Sequence, residues 1–467
     1  MHHHRRRFVV AMSLIFNSGR TMSWHHGLLE RKARLLSGES LVIAVGNSAG
    51  DVDSIVSAMG MAYLLNGVAM AAIRADEFAL RRDAVALLEF CGCVTFDQDR
   101  DGCAKELLYI DDTFQATAVA LTDHNRLDQR LFKNSPKVHA VLDHHMDEGQ
   151  HLEAKIRHVD PALGSTCSLV AQRILEEVVP DELPTSLLVA MLGTIALDTR
   201  GFDPKQNKFS QRDILVSHKI LDALSCEQSE QGSDVKTLRK RTIPTLAAFR
   251  GASTIVELAQ ALGDARRDVG HLKASQLLRM DYKQAKIPDT HNNNFGDIGV
   301  AGVLVDLPTL IERLTPEQTL ASILDDLGQE KPDLAIVFAM TSVDKSKKPK
   351  KKSILYRIVD PNLLPPGFSI EKFEAALTSL GEETNSLPPH LAENPLYHAQ
   401  GIIEHGFRLQ FSYHPHDITL RFSYLPKVVT RKTMLPALLH VLQASTFTTT
   451  APASSSFSDY GEEGELR

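Results

Sequence analysis

The apolar positions of this chain fall into short runs that stop abruptly at polar or acidic residues. Residues 41–45 are apolar, close on Gly46 and read as a buried strand. A polar loop, 47–53, follows. From Ser54 the chain becomes apolar again as Ser-Ile-Val-Ser-Ala-Met-Gly-Met-Ala, which reads as a helix with Asp53 or Ser54 as its cap. Strand, loop and helix in that order form the first unit of a doubly wound sheet. The pattern then recurs. Residues 106–110 end in Asp111-Asp112, 118–122 in Asp123-His124-Asn125, and 138–142 in Asp143-His144-His145. Parallel sheets gather ligands at the carboxyl ends of their strands, so these acidic and histidine tips are expected to converge on one crevice.

Further along, 168–178 and 185–197 read as helices, the second running into Asp198, and 210–224 reads as a third. Residues 227–234 are polar and contain Gly and Ser, as a linker does. Residues 236–287 carry a mostly helical pattern. From 298 strand-like runs at 300–305, 334–340 and 354–359 alternate with other segments, which marks a second α/β domain ending near Leu442. The expected organisation is an arm at 1–38, a first domain at 39–226, a helical linker at 227–270, a second domain at 271–443 and a disordered Ser/Thr-rich, then acidic, tail at 444–467.

Bulk properties narrow the function. A length of 467 residues favours two cores over one. The net charge of -7 gives no support to a nucleic-acid binder acting through overall charge. Five cysteines do not form a disulfide framework, and Cys91, Cys93 and Cys103 lack the spacing of a zinc finger, so they read as buried thiols. The longest apolar run, 186–197, is too short to span a bilayer. The first seven residues, Met-His-His-His-Arg-Arg-Arg, open a leader with no acid before Glu30, which reads as a disordered arm or as an organelle transit segment. The expected location is cytoplasmic, with a mitochondrial form left open.

The strand-tip residues suit one chemistry. Phosphoryl transfer to water requires neutralised phosphate charge and a positioned nucleophile, and two divalent ions held by carboxylates and imidazole supply both. Asp51 and Asp53 share one tight loop, Asp123 stands on a second, and Asp143-His144-His145 on a third. Asp198 closes an apolar helix, a costly place for a charge that is neither paired nor coordinating. Taken singly, each has an ordinary reading as a helix cap, a turn residue or a surface histidine. Their shared position at element ends is what those readings leave unexplained.

In order and spacing, Gly46-Asn47-x-x-x-Asp51-x-Asp53-Ser54, Asp123-His124-Asn125, Asp143-His144-His145 and Gly193-Thr194-Ile195-x-Leu197-Asp198-Thr199 resemble the four motifs of the DHH phosphoesterase superfamily. With Gly164-Ser165-Thr166-Cys167-Ser168 downstream, the segment is similar to fungal exopolyphosphatases and prune proteins. Leu277-Leu278-Arg279-x-Asp281-Tyr282-Lys283 and Val429-Thr430-Arg431-Lys432 resemble the DHHA2 domain of exopolyphosphatases and family II inorganic pyrophosphatases. The resemblance runs from about 41 to 442. It implies an α/β fold with an N-terminal doubly wound, mainly parallel sheet, a smaller mixed α/β DHHA2 domain, and an active site in the cleft between them.

The resemblance also implies roles. Asp123 would bridge two metals, Asp51 would bind the first ion, and Asp53, His144 and Asp198 the second. His145 would contact the substrate phosphate, and Asp143 would orient the histidines. Arg431 and Lys432 would clamp phosphate from the second domain, and Lys208 would be a further phosphate contact. Catalysis would therefore fall to Asp123, His145, Arg431 and Lys432, with Asn47, His124 and Asp143 surrounding the ligands. Asn47 departs from the pyrophosphatases, which carry a metal-binding His there. An amide is a weaker ligand for a transition metal, so the first site should be looser and tolerate Mg²⁺. His145 departs from the prune branch, where Arg is expected. The expected activity is removal of terminal phosphate from inorganic polyphosphate with two Mn²⁺ or Mg²⁺ ions, Co²⁺ being a third option. The chain is expected to act as a monomer without nucleic-acid or membrane partners. Alternatives are a hydrolase of pyrophosphate, short polyphosphates or nucleotides, and a prune-like interaction protein with weak catalysis. The lysines at 345, 347, 348, 350, 351 and 352 read either as a solvated loop or as a guide for a long polyanion.

Overall fold

The computed structural model describes residues 24–225 except 101 and 133, 234–287 except 244–245 and 247–248, 296–329, 333–344 and 351–365. Beyond these it describes short stretches, the last at 438–439. By packing, the chain divides into two units. One comprises Met1–Gln284, Val300–Ile323 and Ala339–Val343, the other Ala285–Gly299, Leu324–Phe338 and Asp344–Arg467.

The first unit is built on a six-stranded sheet. Its strands are β1 (Val42–Val45), β2 (Val68–Met70), β3 (Leu107–Leu108), β4 (Ala118–Thr122), β5 (Lys137–Asp143) and β6 (Ile156–Val159). The order is β3-β2-β1-β4-β5-β6, with every pair parallel. The chain winds outward in one direction from β1 and then in the other, so the order reverses between β1 and β4. That switch point opens a crevice at the carboxyl ends of the strands.

Helices cover one face of the sheet, and Leu35 joins the core on the other face. The helices used below are α1 (Trp24–Leu36), α2 (Val52–Leu64), α3 (Arg82–Cys91), α4 (Thr166–Glu177), α5 (Thr185–Asp198), α6 (Gln211–Ser225) and α7 (Ile255–Arg267). The alternation along each strand sorts its side chains. Ala44, Ala69, Ala120 and Ala140 join a large core with α2, α4, α5 and α7, while Ile43, Val45, Val68, Met70, Val119, Leu121 and Val141 fill a second, smaller core. Alanines on the crowded face let α2 approach the sheet. Helix α5 is apolar all round and is buried along nearly its whole length, as a central helix must be.

Two expectations change here. The cap of α2 is Asp51, whose Oδ1 accepts from Ser54 N at 3.1 Å. Its backbone is extended (φ -75°, ψ 177°), so the helix starts at Val52 and Asp53 falls inside the first turn. The 236–287 region is not continuous helix: α7 is followed by a short helix at Ala274–Arg279 and then by strand β7 (Tyr282–Lys286). The latter pairs at the edge of a sheet, a tertiary interaction that helical periodicity does not report.

That mixed sheet also contains β8 (Asp297–Gly302), β9 (Leu334–Asp344), β10 (Lys351–Ile358), β11 (Ser412–His414) and β12 (Asp417–Pro426), in the order β11-β12-β10-β9-β8-β7. Strand β12 runs antiparallel to both β10 and β11. The α/β class and the pairing of a parallel with a mixed sheet thus follow the expectation. Among the described residues no helix is long and apolar enough to cross a membrane. Lys345, Lys347, Lys348 and Lys350 and the tail from 444 lie outside the described residues.

Candidate metal centre

The switch point brings three loops together. Register pairs Val45 with Leu121 and Thr122 with Leu142, so the residues after β1, β4 and β5 emerge side by side. Asp123 N donates to Leu142 O at 3.0 Å, which ties the second loop to the third strand. Asp123 itself has φ 63°. A left-handed backbone costs a non-glycine residue on the order of 1 kcal/mol, and such strain concentrates at functional sites.

Around Asp123 the side chains interlock. His144 Nε2 lies 3.3 Å from Asp123 Oδ1 and 3.8 Å from Asp53 Oδ2, while its Nδ1 lies 3.2 Å from Leu163 O. A ring that donates Nδ1–H to a carbonyl keeps Nε2 as a bare lone pair, the tautomer a metal-ligating histidine uses. Asp143 behaves differently from expectation, because it orients only one of the two histidines. Its Oδ1 accepts from His145 N at 3.0 Å and from His145 Nδ1–H at 2.8 Å, and its Oδ2 accepts from Asn125 at 2.6 Å. His144 is held by a main-chain carbonyl instead, because the two rings stand at 82° to one another and present different edges.

The electrostatics favour a cation. Asp53 and Asp123 are 4% and 2% exposed. Burial, then the nearby Asp123 charge, raises the pKa of Asp53. Burial also works against the Asp123 charge, but His144, His145 and Lys283 beside it outweigh burial and lower its pKa. Burial lowers the pKa of His145 to about 4, with Lys283 adding to the effect, so its ring is neutral. Its Nε2 is buried and has no hydrogen-bond partner among the described residues. Two close, dry carboxylates cost several kcal/mol each unless compensated, and an orphaned imidazole nitrogen adds to that cost. A divalent ion relieves the carboxylate cost, and Asp123, His144 and His145 each offer a ligand atom within 4.8 Å of the others'. The donor set fits such an ion.

Besides Asn47, which was expected beside the ligands, several supports were not legible beforehand. Ser54 Oγ donates to Asp123 Oδ2 at 2.7 Å, and Thr166 Oγ1 lies 3.3 Å from Asp123 Oδ1. Asp53 receives Ser165 Oγ at 2.9 Å, Thr166 N at 2.8 Å and Cys167 N at 3.0 Å. Asn47 spends its whole amide on this frame: Nδ2 donates to Asp123 Oδ2 at 2.6 Å, and Oδ1 accepts from Ala49 N at 2.9 Å. Lys283, on β7, acts electrostatically on both Asp123 and His145. Its place in the Asp-Tyr-Lys motif was the only sequence signal.

The remaining candidates lie around this cluster. Asp51 lines a small cleft with Arg81, Asp83, Arg266 and Asp281. Asp198 closes α5, and its charge reaches Cys167, the residue whose main chain grips Asp53. His124 bonds Thr122 O through Nδ1 at 2.9 Å. Lys208 is exposed, just after the left-handed Asn207. Arg431 and Lys432 lie outside the described residues. Cys91, Cys93 and Cys103 are free thiols, all buried, as expected.

Comparison with known proteins places the two halves of the chain in known families of domains. Residues 41–195 match the DHH family, N-terminal domain, and residues 260–441 match the DHHA2 domain. A Rattus norvegicus protein named exopolyphosphatase PRUNE1 is 28% identical over 299 residues, covering 61% of this chain and 57% of that protein. A Schizosaccharomyces pombe protein, provisionally named as an exopolyphosphatase, is 28% identical over 207 residues, covering 41% and 53%. The manganese-dependent inorganic pyrophosphatase of Methanocaldococcus jannaschii is 24% identical over 306 residues, covering 64% and 83%. The chain thus spans little more than half the length of the first two relatives.

Proposed function

We propose, for a chain that belongs to the DHH family and carries a DHHA2 domain, that it is a metal-dependent phosphoanhydride hydrolase releasing terminal phosphate from inorganic polyphosphate. The observation that carries this reading is the buried meeting of His144 Nε2 with Asp53 and Asp123 at 3.8 and 3.3 Å. Two divalent cations, when bound, supply a nucleophilic water at neutral pH and offset phosphate charge. Asp53, Asp123, His144 and Asp198 would hold one, and Asp51 with Asp123 the other.

The chain's own residues do the rest. Ser54, Asn47 and Thr166 fix the Asp123 carboxylate, so no reorganisation is needed when charge develops. Asp143 holds the proton of His145 on Nδ1, which leaves the buried Nε2 as an acceptor. That atom would complete a metal's ligand set. Lys283 adds positive charge where a terminal phosphate would sit, and we assign Arg431, Lys432 and Lys208 to the rest of the polyanion.

The test is orthophosphate release from polyphosphates of graded length and from pyrophosphate, with Mn²⁺, Mg²⁺ or Co²⁺. Release from long chains, faster than from pyrophosphate, is the expected outcome. Brisk pyrophosphate turnover with none from polyphosphate would replace this reading by inorganic pyrophosphatase. No hydrolysis of either substrate would leave the interaction-protein reading.

A further inference from the structure

We propose that Asp213 is a positioning residue for the metal centre, acting through the turn at 164–168. This rests on the reading of Asp53 and Asp123 as metal ligands. Asp213 lies in the first turn of α6 and is fully buried. Its Oδ2 accepts from Ser210 N at 2.7 Å and Ser210 Oγ at 2.9 Å, and Asp213 N donates back to Ser210 Oγ at 3.4 Å. Those three contacts make a capping box for its own helix and need no further explanation.

The other two contacts do. Asp213 Oδ2 also accepts from Gly164 N at 3.0 Å, and Oδ1 accepts from Ser168 Oγ at 2.6 Å. They pin both ends of the turn whose middle residues, Ser165, Thr166 and Cys167, give Asp53 three donors. The same turn sends Thr166 Oγ1 to Asp123. Gly164 packs too closely for any side chain: a Cβ there would lie 2.4 Å from Lys208 O and 2.7 Å from Thr199 Cγ2. One buried carboxylate therefore joins a helix start to the donors that aim two metal-facing aspartates. Residues one layer behind a metal's ligands commonly change its affinity about 10–100-fold when removed.

Three full-length variants separate this role from capping. Mn²⁺ affinity is read by titration calorimetry, and melting temperature is read without metal. Asp213→Asn is expected to weaken Mn²⁺ binding at least about tenfold. Ser168→Ala cuts one of the two contacts to the turn and leaves the cap intact, and at least about threefold weaker binding is expected, since a hydrogen bond to a carboxylate is stronger than a neutral one. Ser210→Ala cuts only the cap and should lower the melting temperature while Mn²⁺ affinity stays at the wild-type value. If Asp213→Asn does not fold, the contrast between Ser168→Ala and Ser210→Ala decides. Wild-type affinity in folded Asp213→Asn, or equal weakening in both serine variants, overturns the proposal alone. A wild-type chain that binds no Mn²⁺ overturns the metal-centre reading and this inference with it.

Discussion

The two aspartates of the first loop sit two residues apart and in different surroundings. Asp53 is gripped by three donors and faces the His144 imidazole and a second carboxylate. Asp51 has a helix-cap bond to Ser54 N and lines a cleft with two guanidinium groups, Arg81 and Arg266. Arg81 is 4% exposed and bonds the loop's own carbonyls, Ala49 O at 2.8 Å and Gly50 O at 3.2 Å. Arg266 Nε stands 3.9 Å from Asp83 Oδ2, and although burial opposes its charge, Asp83, Asp281, Asp51 and Asp198 raise its pKa. The acid beside Asp53 thus calls for an added cation, while the acid beside Asp51 is already partly balanced by the protein. The lesson is that equal-looking carboxylates can define a tight site and a loose one.

The largest expected effect comes from removing what the two sites share. Asp123→Asn should lower polyphosphate turnover by about 10³-fold or more, roughly 4 kcal/mol of transition-state stabilisation. Turnover within about tenfold of wild type would mean that Asp123 bridges nothing.

His144→Gln attacks the tight side alone. It should weaken the tighter Mn²⁺ step by about 100-fold, near 2.7 kcal/mol, and leave the weaker step in place. Calorimetry that shows both steps weakened equally would erase the distinction between the sites.

Asn47→His tests the loose side from the opposite direction. An imidazole there should tighten the weaker Mn²⁺ step by about tenfold and shift relative activity toward pyrophosphate, because imidazole is the stronger ligand for a transition metal. An unchanged isotherm would mean that this position only braces Asp123.

Arg266→Gln removes a resident positive charge from the cleft. A modest gain is expected there, about threefold tighter binding at the weaker step, the scale of a partly solvated charge pair. Weaker binding instead would show that Arg266 holds the cleft together rather than competing for it. Folding is checked by melting temperature, since breaking its pairing with Asp83 has a structural cost as well.

Much of this site was readable from the chain. Asp51, Asp53, Asp123, His144 and His145 each follow an apolar run or start a helix, and that position alone marked them. The supports were not readable, because they depend on atoms brought from elsewhere. Asp143 precedes both histidines and was expected to orient both, but only the rotamers show that Leu163 O takes one ring. Ser54, Thr166 and Asp213 are ordinary cap or turn residues in sequence. Lys283 stood in a motif without a role until its strand brought its charge to Asp123.

By itself the sequence determined where strands end, because an apolar run must stop where its backbone leaves the core. It determined which ligand types stand at those ends, and hence the class of chemistry. Only the tertiary structure decided which atoms are free to act. A histidine's reactive nitrogen is chosen by whatever accepts from the other one, and Leu163 O and Asp143 make that choice here. The same holds for Asp53 and Asp51, whose difference comes from long-range partners, three donors in one case and two guanidinium groups in the other.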